Sequence, residues 1–433
     1  MKQLFTILSN FSFIKPFLTI IIFNIVPAKA QIDTAFWLAV PQVGVHGNQN
    51  SELVFSNMDK TNAASVTISC PSSATPLLKT ISIPVGGSVR VDMNQYYGRG
   101  LNAGETPGTL YNLEANQINN NGLYIKASTN ITAFYELGRD IPGQKQGNNI
   151  EIFSLKGGNA LGTDFMLPFQ NQYETWDTFL SYSSANIVAT ENGTIITITP
   201  TRNAVGHPAG VPFNITLNRG QTYSLRAEGL NPQDHLTGST ISSNKPIAVT
   251  LVDDSLQTTG DNYGNGSGGI DMVGDQIVPL NVLGKEYIVS RGLAGDNNGD
   301  RNRIFILPTQ ASTNITISEV GFPDVVLTNQ NAGQIINYLQ RISPAAYIKS
   351  DKPLYVFYVS GSRSELGGAL IPPIICTGSQ SVNIVRSSDA PFSLIILTKT
   401  KNINDFTFKR GNTTVNLINP AVDFKVVTPG PEG

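Results

Sequence analysis

The chain has 433 residues, of which 14% are charged, with 40 Gly and 25 Pro. That length holds about two to four domains, and the Gly-rich, charge-poor balance belongs to turns and strands more than to helices. A net charge of -2 gives no basis for a nucleic-acid or anionic-membrane partner, and two cysteines exclude a disulfide framework.

Residues 1–30 read as a signal peptide. Lys2 and Lys15 are the only charges before the apolar run Phe17–Val26, and Ala28-Lys29-Ala30 supplies the small residues of a cleavage site before Gln31. The apolar run is about ten residues, short of the roughly twenty that a spanning helix needs. The mature chain is therefore expected to be secreted or held at the cell surface, with no transmembrane segment.

The rest reads as tandem β repeats with a period of roughly 90–130 residues. The first (31–140) opens at Thr34–Pro41 and holds hairpins at Glu52–Cys70 and Thr80–Val91. It closes with Gly122–Ala127 and Ile131–Leu137. The second (158–255) is the clearest. Asn186–Thr190 and Thr194–Thr199 flank the turn Glu191-Asn192-Gly193, and Asn-Gly between β-rich runs is the strongest local hairpin signal. Ile196 and Ile198 alternate with Thr197 and Thr199, as a half-buried strand requires. Phe213–Leu217 and Thr222–Leu225 form a second hairpin, and Ile247–Val252 an apolar closing strand.

The third repeat (272–362) runs through Arg303–Leu307 and Asn314–Ser318 to Leu354–Tyr358. Ser243-Asn244-Lys245-Pro246-Ile247 and Ser350-Asp351-Lys352-Pro353-Leu354 hold the same place in adjacent repeats. A fourth, incomplete repeat (374–433) has strand-like runs at Ser381–Val385 and Ser393–Leu397 but no closing Lys-Pro strand, so the chain reads as the front part of a longer polypeptide. The expected fold is all-β: tandem antiparallel β-sandwich-like repeats of about seven short strands each. Repeats fused into a continuous or ring-like sheet are the rival architecture.

These residues resemble a known family. The Leu-Gly-x-x-(Phe/Tyr) opening, the hairpin Ala189–Pro200, Leu217–Tyr223, Leu236–Ser239 and Asn244–Val249 look like the IgGFc-binding protein N-terminal domain. Glu365–Pro373 with Thr377-Gly378-Ser379 looks closest to the bacterial branch that ends in gliding-motility-type sorting domains. The resemblance implies a secreted or surface protein that binds a partner, carries over no defined binding residues, and leaves open whether immunoglobulin Fc is bound.

Chemical motifs are sparse. His46, His207 and His235 lie far apart in turn-like sequence and read as exposed loop histidines. Cys70 shares a strand face with Val66 and Ile68 and reads as a buried thiol. Gly264–Gly269 satisfies Gly-x-Gly-x-x-Gly but leads into no helix, so it is no dinucleotide site. Asp253, Asp254, Asp261 and Asp271 cluster in sequence around that glycine loop. Asp296, Asn298 and Asp300 alternate as oxygen ligands of a Ca2+ loop do, although Arg301 stands where Gly belongs; a calcium-dependent rise in melting temperature would be their signature. No other cofactor is implied.

The expected function is non-catalytic adhesion or binding of an extracellular protein or glycan through loops. Tyr96, Tyr97, Tyr173 and Trp176 are the ligand-contact candidates, with inter-repeat packing as their alternative role. A secreted glycan-active enzyme would need a carboxylate pair, and Glu174, Asp177, Glu191 and Asp234 single out none. A purely structural surface-layer role is the third reading. Mass spectrometry of the exported protein is expected to find an N-terminus at Gln31, and an intact Met1 would overturn the export reading.

Overall fold

The computed structural model describes residues 31–43, 50–97, 115–138, 150–176, 181–257, 270–292, 302–362, 365–376, 394–406, 408–410, 413–415, 424–427 and 430. These form three β modules and a small C-terminal hairpin.

The first module contains β1 (Asp33–Ala39), β2 (Ser51–Asn57), β3 (Ala64–Ser69), β4 (Leu77–Ile83) and β5 (Ser88–Asp92), followed by one helical turn, α1 (Asn94–Tyr97). Then come β6 (Ile118–Asn119), β7 (Gly122–Leu137) and β8 (Glu151–Leu155). Strand β7 serves two layers. Its first half pairs with β1 and β3, and its second half pairs with β2 and β8. Strands β4 and β5 extend the two layers outward. Side chains alternating inward from both layers, among them Phe36, Phe55, Ile68, Ile125, Tyr135 and Phe153, share one core.

The second module repeats this plan with β9 (Gly162–Met166), β10 (Ser183–Ala189), β11 (Thr194–Thr199), β12 (Phe213–Leu217), β13 (Thr222–Arg226), β14 (Thr240–Gln257) and β15 (Ile270–Ile277). Here β14 is the shared strand. It pairs first with β9 and β11, then with β10 and β15. The third module comprises β16 (Glu286–Ser290), β17 (Arg303–Pro308), β18 (Thr313–Glu319), β19 (Val325–Gln330), β20 (Ile336–Leu339), β21 (Ala345–Ser350), β22 (Leu354–Ser362) and β23 (Glu365–Leu370). The turn at Asp351-Lys352-Pro353 splits the shared strand in two, leaving four-stranded sheets ordered β16-β21-β18-β19 and β20-β17-β22-β23. The all-β antiparallel class expected from sequence is the observed one, but the expected hairpins at Glu52–Cys70, Thr80–Val91, Asn186–Thr199 and Phe213–Leu225 are corrected. Strand β2 pairs with β5, β3 with β4, β10 with β13 and β11 with β12, so each of those turns joins two strands that do not pair with each other. Each module also closes with a strand, β8, β15 or β23, at or beyond the edge of the repeats read from sequence.

The recurring motifs have repeated physical tasks. Lys245 Nζ donates to the Asn192 carbonyl and Lys352 Nζ to the Ala311 carbonyl, each at 2.5 Å, so the Lys-Pro lysine caps the turn between β10 and β11 or between β17 and β18. The preceding Asn244 and Asp351 accept the Ile195 and Asn314 N–H groups at 2.8 Å. Ser243 and Ser350 hydroxyls close the local loop on the lysine carbonyl at 2.7 Å. In the Leu-Gly opening, any Cβ on Gly162 or Gly284 would overlap the ring of Pro279 or Pro373. Only glycine fits there.

The modules are joined by strand exchange and close backbone contact. Strand β6, from the connection between β5 and β7, leaves its own module and extends the second by pairing Asn119 with Thr222 and Ile118 with Tyr223. Gly122 N–H donates to the Gly220 carbonyl at 2.9 Å across the same seam. The next seam reuses the device, with Gly238 against Gly333. The main core runs without a break from the second module into Phe305, Tyr355 and Phe357 of the third.

Little of the fourth repeat lies within the described residues. Strands β24 (Phe408–Arg410) and β25 (Thr413–Val415) pair as a hairpin. Residues 394–397, which the sequence suggests as a strand, have no regular structure, and their apolar side chains are exposed. Val-Leu-Ile-rich sequence favours a pleated surface only where a partner covers it.

A methyl group at residue 122 would overlap both the Gly220 carbonyl and the Val188 side chain. Gly122→Ala is expected to lower stability by roughly 1–3 kcal/mol through overpacking. Denaturant unfolding measures this, and a midpoint equal to wild type would show that the seam yields.

Candidate binding surface

The segment 170–176 is a loop built on one buried side chain. Gln170 Oε1 accepts the N–H groups of Gln172 and Tyr173 at 2.7 and 2.8 Å, and its Nε2 donates to the Tyr173 carbonyl at 2.9 Å. A buried amide that satisfies the turn on both sides fixes the loop without a strand ladder. The end of β14 holds the far side. Gln257 N–H donates to the Glu174 carbonyl, and Trp176 N–H to the Ser255 carbonyl, both at 2.9 Å. Asn337 of the third module reaches Gln172 Oε1 at 2.8 Å.

Beneath this loop lies a buried polar cluster. His235 is 2% exposed. Its Nδ1 faces Asp253 Oδ1 at 3.3 Å and the Gln170 carbonyl at 3.2 Å, and Thr175 Oγ1 is 3.5 Å from Nε2. A register shift in β14 between Asp253 and Leu256 accompanies Ser255 at φ +50°, a left-handed conformation unusual for serine. Bulges re-aim side chains, and Ser255 Oγ here accepts from Ser181 at 2.5 Å. Burial alone would lower the His235 pKa. The charge and hydrogen bond of Asp253, the Gln170 carbonyl and the charge of Asp234 together outweigh it and raise the value.

Thr175, His235 and Asp253 stand in the order of a nucleophile, base and orienting acid. Thr175 is only 4% exposed, so the cluster supports the loop from its buried side. The expectation of exposed loop histidines fails for His235, which turns inward because Asp253 and Gln170 supply its hydrogen bonds. His207 is half-buried and stacks on Phe213 with ring centroids 3.4 Å apart. His46 lies outside the described residues.

The aromatic candidates separate. The Trp176 indole is 41% exposed on the pinned loop. Tyr173 is 2% exposed and belongs to the second module's core, so its expected place on an exposed loop is corrected. Tyr96 packs against the first module's core and donates to the Leu78 carbonyl at 3.1 Å. The Tyr97 side chain lies outside the described residues, as do Asp177, Asp261 and the Ca2+ candidates Asp296, Asn298 and Asp300. Cys70 is buried and free.

Asp253, Asp254 and Asp271 are buried, not arrayed on a surface loop. Asp271 accepts the N–H groups of Met272, at 2.7 Å, and of Leu366. Glu174 and Glu191 are exposed, whereas Asp234 is half-buried and caps Asn231. The buried polar roles were invisible in sequence because their partners are remote. Only the Gly-rich turns and Lys-Pro repeats signalled that remote contacts would recur.

A family model described as "IgGFc binding protein" matches residues 153–432. Among solved structures, the crystal structure of a tetra-tandem repeat in the extending region of a large adhesion protein is 11% identical, with 80% of this chain and 75% of that chain covered. Its TM-score is 0.10, which carries no argument about fold or function. No curated protein matches the chain.

A folded-state pKa raised above the unfolded value of about 6.5 stabilises the protein through the charged imidazolium. That stabilisation is fully present below about pH 6.5 and is lost as pH rises through the folded value. Melting temperature is therefore expected to fall with rising pH across that window, with a shallower fall in His235→Asn. Parallel pH profiles for the two proteins would show that His235 is neutral in the fold.

Proposed function

The chain belongs to the IgGFc-binding protein family, and from that premise we propose that it is an extracellular binding protein that recognises a protein or glycan partner through loops on its rigid β modules. The observation that carries this reading is Trp176. A large amphipathic ring stands partly in solvent on a loop held by Gln170, β14 and the buried His235 cluster. An aromatic held in place loses little conformational entropy on binding, which is what an interface anchor needs.

The family description makes the Fc part of immunoglobulin G one partner to test, with glycans as the other class. A non-catalytic role is supported by how four of the buried carboxyl groups are used. Glu151, Asp271 and Asp275 accept backbone N–H groups between modules, and Asp253 faces His235 away from solvent. Extracellular placement fits the apolar leader with its small-residue cleavage site, and among the described residues no helix is long and apolar enough to cross a membrane.

Surface plasmon resonance of the mature chain against immobilised Fc and against a glycan array tests the proposal. Trp176→Ala is expected to weaken binding at least tenfold, a loss of about 1.4 kcal/mol, with an unchanged melting temperature. Undiminished binding by the variant would move the contact site elsewhere. Failure to bind any protein or glycan would overturn the binding reading.

A further inference from the structure

The seam between the first two modules places an amine against a carboxyl group, away from water. Lys156 directly follows β8, and Asp275 lies on β15. Lys156 Nζ is 2.7 Å from Asp275 Oδ1, and the two side chains are 7% and 5% exposed. Three backbone N–H groups converge on the same carboxyl. Gln276 and Ser154 donate to Oδ1 at 2.8 and 3.2 Å, and Leu370 of the third module donates to Oδ2 at 3.0 Å. The carboxyl is thus fixed from all three modules at once.

We infer that Lys156 and Asp275 form an intramolecular amide cross-link, joining the first module covalently to the second. The starting pair is the neutral tautomer of the ion pair, an amine facing a carboxylic acid. Nζ attacks Cγ, the Nζ–Cγ bond forms, and one Cγ–O bond breaks. The departing oxygen leaves as water with a proton from the amine. No oxidant, metal or co-reactant is required. The converging N–H groups are placed to stabilise the negative oxygen of the tetrahedral intermediate, as preorganised donors do in acyl transfer.

The surroundings weaken the ammonium form of the lysine. Burial lowers the lysine pKa by more than the adjacent Asp275 raises it. Glu151 is buried in the same seam, and burial above all pushes its carboxyl well above the usual carboxylate range despite its hydrogen bonds from the Ile152 and Gly368 N–H groups. That shift lessens the negative charge that would hold Lys156 as an ammonium. A permanent bond here would perform the task that disulfides perform in many exported proteins, in a chain whose Cys70 is buried and free.

Intact-mass measurement of the full processed chain under denaturing conditions reads the bond directly. The expected mass is about 18 Da below that of the sequence, one water lost. Tryptic digestion should leave Lys156 uncut, and tandem spectra should show one branched peptide containing Lys156 and Asp275. Lys156→Met and Asp275→Ala should each restore the full sequence mass. A wild-type chain of full mass that is cut after Lys156 overturns the inference, and the pair is then an ion pair only. The wild-type peptide map decides even if both variants fail to fold.

Discussion

The structure depends on what happens at the outer edge of β23. In an antiparallel edge strand every second N–H points away from the sheet, and burying that row without partners costs about 1–3 kcal/mol per group. Here the row belongs to Leu366, Gly368 and Leu370, and it faces the other two modules instead of water. Asp271, Glu151 and Asp275 accept those three groups in turn. Strand β8 is served in the same way, with Ser154 N–H on Asp275 and Lys156 N–H on Gln276 Oε1. The sum at stake is several kcal/mol, comparable with a net stability of about 5–15 kcal/mol. Side-chain oxygens thus do what a further strand would do. The closing strands of three modules can then meet without merging into one open-edged sheet.

Placing several carboxyl groups in one seam has its own cost, because like charges in a poorly solvated site repel. The seam resolves it by giving its acids different states. Burial pushes the Glu151 carboxyl well above its usual range, toward the neutral form, and a neutral carboxyl still accepts N–H donors through its oxygens. Asp275 stands against Lys156 at 2.7 Å, so neither an ion pair nor an amide there leaves an uncompensated charge. Gly122 with Gly220 and Gly238 with Gly333 do the same work without charge, by letting backbones approach where a side chain would hold them apart. Polar chemistry is spent inside the molecule, on assembly.

Much of this was legible in sequence, and the boundary is physical. The strands Asn186–Thr190 and Thr194–Thr199 were readable because alternation beside a turn with Gly193 at positive φ is a local signal. The hairpin expected between them is not formed: β10 pairs with β13 and β14, and β11 with β12 and β14, and which strands pair is decided by remote contacts. The Lys-Pro and Leu-Gly phrases were readable as repeats, although their reasons, a capped turn and a proline ring, appear only in three dimensions. The hub was not readable. Glu151 and Gly368 are 217 residues apart, and a carboxylate that serves a backbone amide leaves no side-chain partner in the sequence to notice. His235 misled for the same reason, since turn-like neighbours suggest exposure while Gln170, 65 residues away, supplies its contacts. The aromatics of the expected site show the limit again. Tyr173 and Trp176 are three residues apart on one loop, yet one is core and the other is surface, because the Gln170-centred turn directs alternate residues inward.

The same architecture constrains how binding can work. Modules joined by flexible linkers gain avidity over a broad range of spacings, because the linker adapts to the partner. In this chain the second and third modules share one apolar core, and the first lends β6 to the second. Their loops are therefore held at fixed separations and directions. A partner with one matching epitope gains from rigidity alone, through the small entropy lost by a pinned loop. A partner with several epitopes gains more only if their spacing matches that of the modules. In the proposed binding role, the edge-capping hub that stabilises the fold would also select among partners by geometry, before any individual side chain does so.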